Sequence, residues 1–418
     1  MTSIPSVLAA FTIILIDLLG RAGLDKVLAL SGGPAMVALW AQLQSVLELV
    51  SGVAIAGIVQ GLTVLVTQVR ESRDERNLLQ SALKLGLGTS LAVALVVALA
   101  APVLTAWLTQ GKIEPALILL AACGGCLAII PSTLSAYWLG KHQQQRMLGL
   151  AMLVSTVWLM VAVGAWMGLS LGGLMLVQCG ALLLIGGVIW RYIRKLAQAD
   201  DRHADGAEFF HKLVKFVPVG LAIGIMSPVS MLLIRGLLSG MLSWNDVGFM
   251  QALWRSSDWV TSTAAGVLSL VFLPRLSSTY GSAQFKSEMM RAAMVVLIPA
   301  AYLLLLIYFN QRAMLATLYD ARFAVSNETA ALFMLGCWVR IASWVFLFGL
   351  FATHRTRMIV AGEVLSLPLL VLLLWLFADG MTLERTALIY LTSYLVYLGF
   401  NAAALFYSSR NQVNANEA

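Results

Sequence analysis

Residues 4–67 read IPSVLAAFTIILIDLLGRAGLDKVLALSGGPAMVALWAQLQSVLELVSGVAIAGIVQGLTVLVT. Two runs, 4–30 and 34–67, are each long enough to cross a bilayer, which takes about 20 mostly apolar residues in a helix. Yet Asp17, Arg21, Asp25, Lys26 and Glu48 lie inside them. The pattern recurs in the second half, where Arg235, Arg255, Asp258, Arg340 and Glu363 interrupt long apolar segments. A charge at the bilayer centre costs about 2.5–3.5 kcal/mol on insertion scales, so ten of them on lipid-facing surfaces would be hard to sustain. They are expected to face an interior. An interior holding five cations and five carboxylates is most simply a wet, substrate-sized cavity.

Composition supports the membrane reading throughout. Hydrophobic residues make up 60% of the 418 and charged residues 11%, and the mean hydropathy of +0.88 lies far outside the soluble globular range. Twelve spans are predicted, near 4–30, 34–67, 80–108, 114–139, 147–168, 171–195, 213–239, 245–274, 287–309, 327–352, 358–378 and 383–408. The connections after even-numbered spans, with the C-terminal tail, carry eighteen Lys and Arg, against only Lys112, Arg312, Arg322 and Arg385 after odd-numbered ones. Cytoplasmic loops retain basic residues, so both termini are expected in the cytoplasm. The net charge of +7 is then mainly a topology signal and an affinity for anionic headgroups, not a nucleic-acid footprint. The first helix lacks a basic leader and a convincing cleavage site and is expected to be retained. Cys123 and Cys126 form a CxxC spacing inside an apolar helix pattern, which fits small-residue packing better than redox chemistry. No metal-site spacing connects His142, His203, His211 and His354.

The chain also reads as a duplication. The polar segment 197–212 divides it near the middle, giving an N-lobe over 1–196, a linker over 197–212, a C-lobe over 213–410 and a tail over 411–418. An offset of 209 places Arg235 on Lys26, an offset of 210 places Asp258 on Glu48, and an offset of 211 places Arg357-Met358 on Arg146-Met147. Six spans per copy keep the same orientation, so the pseudo-twofold axis is expected along the membrane normal, with a cleft between the lobes.

Several stretches carry a family likeness: Lys26-VLALSGGPA, GIVQG at Gly57–Gly61, MLLIRGLLSGMLSWNDVG around Arg235 and Trp244, Ser257-Asp258, LPRLS ending at Ser277, and AGEV around Glu363. By these the chain resembles the Wzx-type polysaccharide flippases of the multidrug/oligosaccharidyl-lipid/polysaccharide exporter superfamily, those for the enterobacterial common antigen repeat in particular. The likeness is strongest over 20–70 and 225–280. Arg255 has no matching family position, and Arg340 stands where a lysine is expected. The resemblance implies an all-α V-shaped fold of two six-helix lobes. It also implies transport of an undecaprenyl-pyrophosphate-linked oligosaccharide, an O-antigen or lipopolysaccharide-type repeat unit, from the cytoplasmic to the periplasmic leaflet of the inner membrane by alternating access. Membrane lipids, a polysaccharide polymerase and a chain-length regulator are the implied partners, and no cofactor is expected beyond H+ or Na+ as a coupling ion.

A diphosphate entering such a cavity loses its hydration shell and needs charge-assisted hydrogen bonds in return. Lys26, Arg235 and Arg340 have no carboxylate three or four residues away and form the expected anion-contacting set; snorkelling to an interface is the other reading of Lys26 and Arg235. Arg21 has Asp17 and Asp25 four residues to either side, and Arg255 has Asp258 three residues on. These pairs either neutralise themselves or exchange carboxylate for phosphate when substrate arrives. Glu48 and Glu363, with Asp258 and Asp17, are candidates for proton coupling; pairing across helices is the alternative. Pro228 and Gly57 are candidate hinges, and Pro218 and Pro368 also permit bending. A multidrug exporter of the same superfamily would want a cavity of carboxylates and aromatics rather than three bases without a neighbouring acid. A lipid II flippase would carry two further helices, and a polyprenyl glycosyltransferase would need a carboxylate pair or a large outer loop that the sequence lacks.

Overall fold

A computed structural model describes residues 4–67, 69, 72–141, 143–197, 206–282, 284–353 and 356–416. Every regular element among them is helical. The first half runs through α1 (Ile4–Ala54), a π-helical turn (Ile55–Val59), α2 (Gln60–Val66), α3 (Ser72–Leu108), α4 (Pro115–Gly140), α5 (Gln144–Trp166) and α6 (Leu171–Ala197). There follow α7 (Gly206–Val214), α8 (Val217–Met241), α9 (Trp244–Val267), a second π-helical turn (Leu268–Phe272), α10 (Leu273–Thr279) and α11 (Gln284–Phe309). The chain closes with α12 (Gln311–Leu318), α13 (Asn327–Ala352), α14 (Thr356–Val364), α15 (Leu367–Leu376) and α16 (Leu383–Asn416).

Eleven of the described helices are long and apolar enough to cross a membrane, and the first of them, Leu15–Val66, is 52 residues long. At 1.5 Å per residue that helix would reach about 78 Å, more than twice a hydrocarbon core of about 30 Å. It does not run straight. Gly33 adopts φ 71° and ψ −165°, a conformation that suits glycine, and Pro34 follows it, so α1 is two helices meeting at SGGP. The eleven thus become the twelve spans expected from sequence.

The eleventh expected span, 358–378, is interrupted. It ends as α14 at Val364, turns through Leu365 and Ser366, and restarts as α15 with Pro368 in its first turn. Proline lacks the N–H that a continuous helix would need, and its ring clashes with the carbonyl four residues earlier. Ser366 Oγ donates to the Glu363 carbonyl at 2.7 Å, which satisfies one of the acceptors freed by the break. Pro228 behaves differently, because α8 continues unbroken across it. The chain between α11 and α13 also holds α12, eight residues with Gln311 and Leu315 buried, too short to register as a periodic signal.

Two compact units make up the chain, Met1–Gly236 and Leu237–Ala418. The first extends beyond the polar segment 197–212 and takes in most of α8. Residues 198–205 of that segment lie outside the described residues, as do 417–418 of the tail, and α16 carries the helix on to Asn416. The described end of the segment belongs to α7, which packs against α3.

In the first unit, α1 lies against α4 and α5. A Cβ at Gly125 of α4 would fall 2.7 Å from both the Leu47 carbonyl oxygen and the Val50 Cβ. Small residues between Cys123 and Cys126 therefore serve close helix packing, and the four cysteines are free. In the second unit α13 packs along α16, with Phe333, Tyr390, Tyr394 and Tyr397 among its most deeply buried side chains. Both units leave large apolar residues outward, such as Leu99, Val103 and Leu184 on the first and Ile298, Trp375 and Phe406 on the second. That is the surface a lipid-embedded helix presents.

Candidate functional site

The intramembrane charges fall into distinct settings. On the first half of α1, Arg21 Nε lies 2.9 Å from Asp17 Oδ2 one helical turn away. The same guanidinium sits 5.0 Å from the centre of the Trp158 ring on α5, and Trp158 Nε1 donates to Asp17 Oδ1 at 3.1 Å. A cation over an indole face with the indole N–H on its counter-ion is a compact group that balances its own charge, although Arg21 Nε is buried without a hydrogen bond of good geometry. Asp25 is buried and Lys26 half-buried on the next turn. Glu48, further along α1, is exposed.

Arg235 is 5% exposed. Its Nη1 donates to Ser45 Oγ at 2.7 Å and to the Ala41 carbonyl at 3.2 Å, so α8 fastens itself to α1 there. One turn earlier on α8, the Leu232 carbonyl accepts from Gln42 Nε2 at 3.1 Å.

The second unit holds a different arrangement. Arg340 on α13 is half-buried, its guanidinium 4.8 Å from the Trp344 ring centre and 5.7 Å from that of Tyr394. Among the described residues no carboxylate makes an ion pair with it. Asp258 on α9 lies 3.8 Å from Arg255 Nη1. Glu363 on α14 accepts from Tyr397 Oη at 3.1 Å. Tyr390, Tyr394 and Tyr397 share one face of α16 by their spacing, and that face meets α13. Trp254 closes the base of the group edge-on to Phe333 and Tyr390.

Arg340, Asp258, Arg255 and Glu363 are thus gathered in one unit, while Asp17, Arg21, Asp25, Lys26, Glu48 and Arg235 belong to the other. Trp344, the tyrosine face of α16, Trp158, Gln42 and Ser45 were not singled out from sequence. Trp344 follows Arg340 by four residues and Tyr390, Tyr394 and Tyr397 sit at helical spacing, so both signals were there to be read. A cation held by ring faces, without a bonded counter-ion, keeps its charge available to an anion. Among the described residues no group of three or more His, Cys, Asp or Glu side chains could hold a metal ion.

No protein-family model matches the chain. Two curated proteins do, the lipid III flippases of Escherichia coli (strain K12) and Shigella flexneri. Each is 25% identical over 404 residues, covering 89% of this chain and 90% of the relative. Among solved structures, an inward-facing multidrug resistance MATE family transporter of the MOP superfamily aligns over 96% of this chain and 95% of its own, with TM-score 0.66 and 10% identity. The lipid II flippase MurJ in an inward closed conformation aligns over 98% and 91%, with TM-score 0.66 and 14% identity. A MOP superfamily transporter from Pyrococcus furiosus, described as having a binding pocket of reverse polarity, aligns over 97% and 92% with TM-score 0.60 and 10% identity. The chain is a multi-pass membrane protein with the fold of the multidrug/oligosaccharidyl-lipid/polysaccharide exporter superfamily, and in sequence it resembles the lipid III flippases.

Proposed function

We propose that this protein flips an undecaprenyl-pyrophosphate-linked oligosaccharide from the cytoplasmic to the periplasmic leaflet of the bacterial inner membrane. Sequence likeness to lipid III flippases over nearly the whole chain carries the reading. Both termini are placed in the cytoplasm on the basic residues of the even-numbered connections, which sets the residues near 34 and 239 at the outer side. Lobes divided at 197–212 are the moving parts of an alternating-access cycle.

Within that scheme Arg340 is the foremost contact for the diphosphate, because its charge is held by Trp344 and Tyr394 rather than by a bonded carboxylate. Lys26, Arg235, Arg21 and Arg255 are the further cations of the path. Asp17, Glu48, Asp258 and Glu363 are the carboxylates through which H+ or Na+ would couple, with Gly57 and Pro228 as hinge positions. A polysaccharide polymerase and its chain-length regulator would receive the flipped unit.

The deciding experiment reconstitutes the full chain in vesicles with an undecaprenyl-pyrophosphate oligosaccharide and follows its appearance in the opposite leaflet by an impermeant glycosidase or lectin. Protein-dependent exposure that is lost in Arg340→Ala is expected. Absence of exposure with correctly inserted wild-type protein, or efflux of organic cations instead, would overturn the reading in favour of a multidrug exporter.

A further inference from the structure

α8, with Phe216 just before it, runs antiparallel to the part of α1 that follows Gly33, the π-helical turn and the start of α2. Ala41 and Ser45 meet Arg235, Gln42 meets Leu232, Gly52 meets Gly224, Gly57 meets Gly220 and Gly61 meets Phe216. Numbers rise on one helix as they fall on the other.

The two ends of this pairing differ in chemistry. Toward the end near Gly61 the contact is backbone against backbone at Gly52 and Gly57, and backbone against the Phe216 ring at Gly61. A Cβ at Gly52 would sit 2.5 Å from the Gly224 carbonyl oxygen, and one at Gly57 would sit 2.6 Å from that of Phe216. Such a crossing gains its energy from close van der Waals packing and offers nothing to an ion. At the end near Arg235 the contact is polar: a guanidinium on a hydroxyl and a carbonyl, and a glutamine amide on a carbonyl. Gln42 is 1% exposed, yet its Oε1 lacks a hydrogen-bond partner. It lines a small cavity with Leu108, Thr109 and Leu232. An incompletely satisfied polar contact is held less firmly than a saturated one, because opening it lets water reach the orphaned acceptor.

We infer that Arg235, Gln42 and Ser45 form an outer latch between α8 and α1, and that a diphosphate opens it by taking the guanidinium from Ser45 and the Ala41 carbonyl. Gln42 and Ser45 are positioning residues in this scheme. The inference rests on the flippase reading for the identity of the anion, but the latch itself is testable without transport. The exchange is chemically favourable: two phosphate oxygens accept a bidentate charge-assisted pair, whereas a hydroxyl and a carbonyl give single neutral acceptors.

The test is a cysteine at Ala41, a buried position at the latch, probed in the full chain in sealed vesicles with an impermeant thiol reagent from the outer side. Without substrate, labelling should be slow in the parent and about tenfold faster with Arg235→Gln, since charge-assisted hydrogen bonds of this kind sum to more than one decade in the closing equilibrium. Ser45→Ala should give an intermediate rate. Added undecaprenyl diphosphate should accelerate labelling when Arg235 is present and leave Arg235→Gln unchanged. Equal slow rates in all variants at normal protein abundance would overturn the latch. If Arg235→Gln fails to accumulate, Ser45→Ala and Gln42→Leu decide alone, unchanged labelling in both counting against it. Latch behaviour with no flipping of the oligosaccharide sinks the flippase reading and leaves the latch; flipping with no change in labelling does the reverse.

Discussion

Arg235 and Arg340 look alike in the sequence, each a base in an apolar helix with no acid three or four residues away, and the molecule treats them in opposite ways. Arg235 is buried at 5% exposure with its guanidinium on Ser45 and the Ala41 carbonyl. Arg340 is half-buried with its charge over the rings of Trp344 and Tyr394. Oxygen acceptors from a neighbouring helix satisfy a guanidinium and fasten two helices together. Ring faces stabilise its charge while leaving its N–H groups for something else. Intramembrane charge marks function by default, but what it marks depends on the chemistry of the wall opposite.

The sharpest way to break this contrast is to truncate both arginines. Arg340→Ala should lower flipping by at least about a hundredfold at near-normal abundance, an effect of the size expected when a charged ligand group is lost. Arg235→Ala, besides losing the opening of the latch by substrate, should destabilise the folded protein by about 2–3 kcal/mol in detergent denaturation, the worth of its hydrogen bonds. If the two variants show the same balance of activity and stability, the contrast is wrong. Arg340→Lys should restore only part of the flipping, because an ammonium lacks the planar fork and stacks poorly.

Next in size is the crossing at the other end of α8. Gly224→Val should cost about 1–3 kcal/mol by overpacking, because its Cβ would meet the Gly52 carbonyl. Gly149→Val, where nothing lies within 4 Å, should change stability little. Equal destabilisation by both would remove the close approach as the cause. A smaller effect is expected for Tyr397→Phe, which removes the hydroxyl bonded to Glu363; a loss of about 1 kcal/mol in denaturation follows from one hydrogen bond, and a change in the pH profile of flipping would link Glu363 to coupling.

The smallest effect concerns Asp320. The Arg322 side chain, bonded to its carboxylate at 2.6 Å, holds this carboxyl below the usual range. A depressed carboxyl contributes stability above its unfolded pKa and loses it as pH falls through the folded value, so the effect of Asp320→Asn should be full above about pH 4 and fade below it. Asp320 is half-buried but its partner Arg322 is exposed, so the change in melting temperature should be close to the noise; a large one would mean that the α12–α13 connection is held more tightly than a surface ion pair implies.

The spans were legible because each needs about 20 apolar residues and little else in soluble chemistry supplies them. Even the division of residues 4–67 into two was readable at SGGP. The interruption at Ser366 had its cause in plain view at Pro368, but a proline can bend a span as readily as end it, and Pro228 leaves α8 whole. The setting of each charge was not legible. Arg235 finds its partners on a helix about 190 residues earlier in the chain, one of them a backbone carbonyl present at every position, so no residue type announces it. Trp344 lies on Arg340's own helix and could have been read from spacing; the tyrosine face of α16 could be read the same way, but not that its Tyr394 lies over Arg340.

The two π-helical turns, Ile55–Val59 and Leu268–Phe272, interrupt the second helix of each half. A π-turn accommodates one residue more than the α-helix around it, so it advances the helical phase by about 100° while the axis continues. Everything after it presents a different face from the one the preceding heptads would dictate. Gly61 reaches the Phe216 ring only by virtue of that phase. Deleting a single residue from 55–59 would turn Gly61 aside and bring a larger neighbour to Phe216, closing off the approach without altering one residue of α8. A one-residue insertion or deletion is thus the cheapest change by which related chains could retune this crossing.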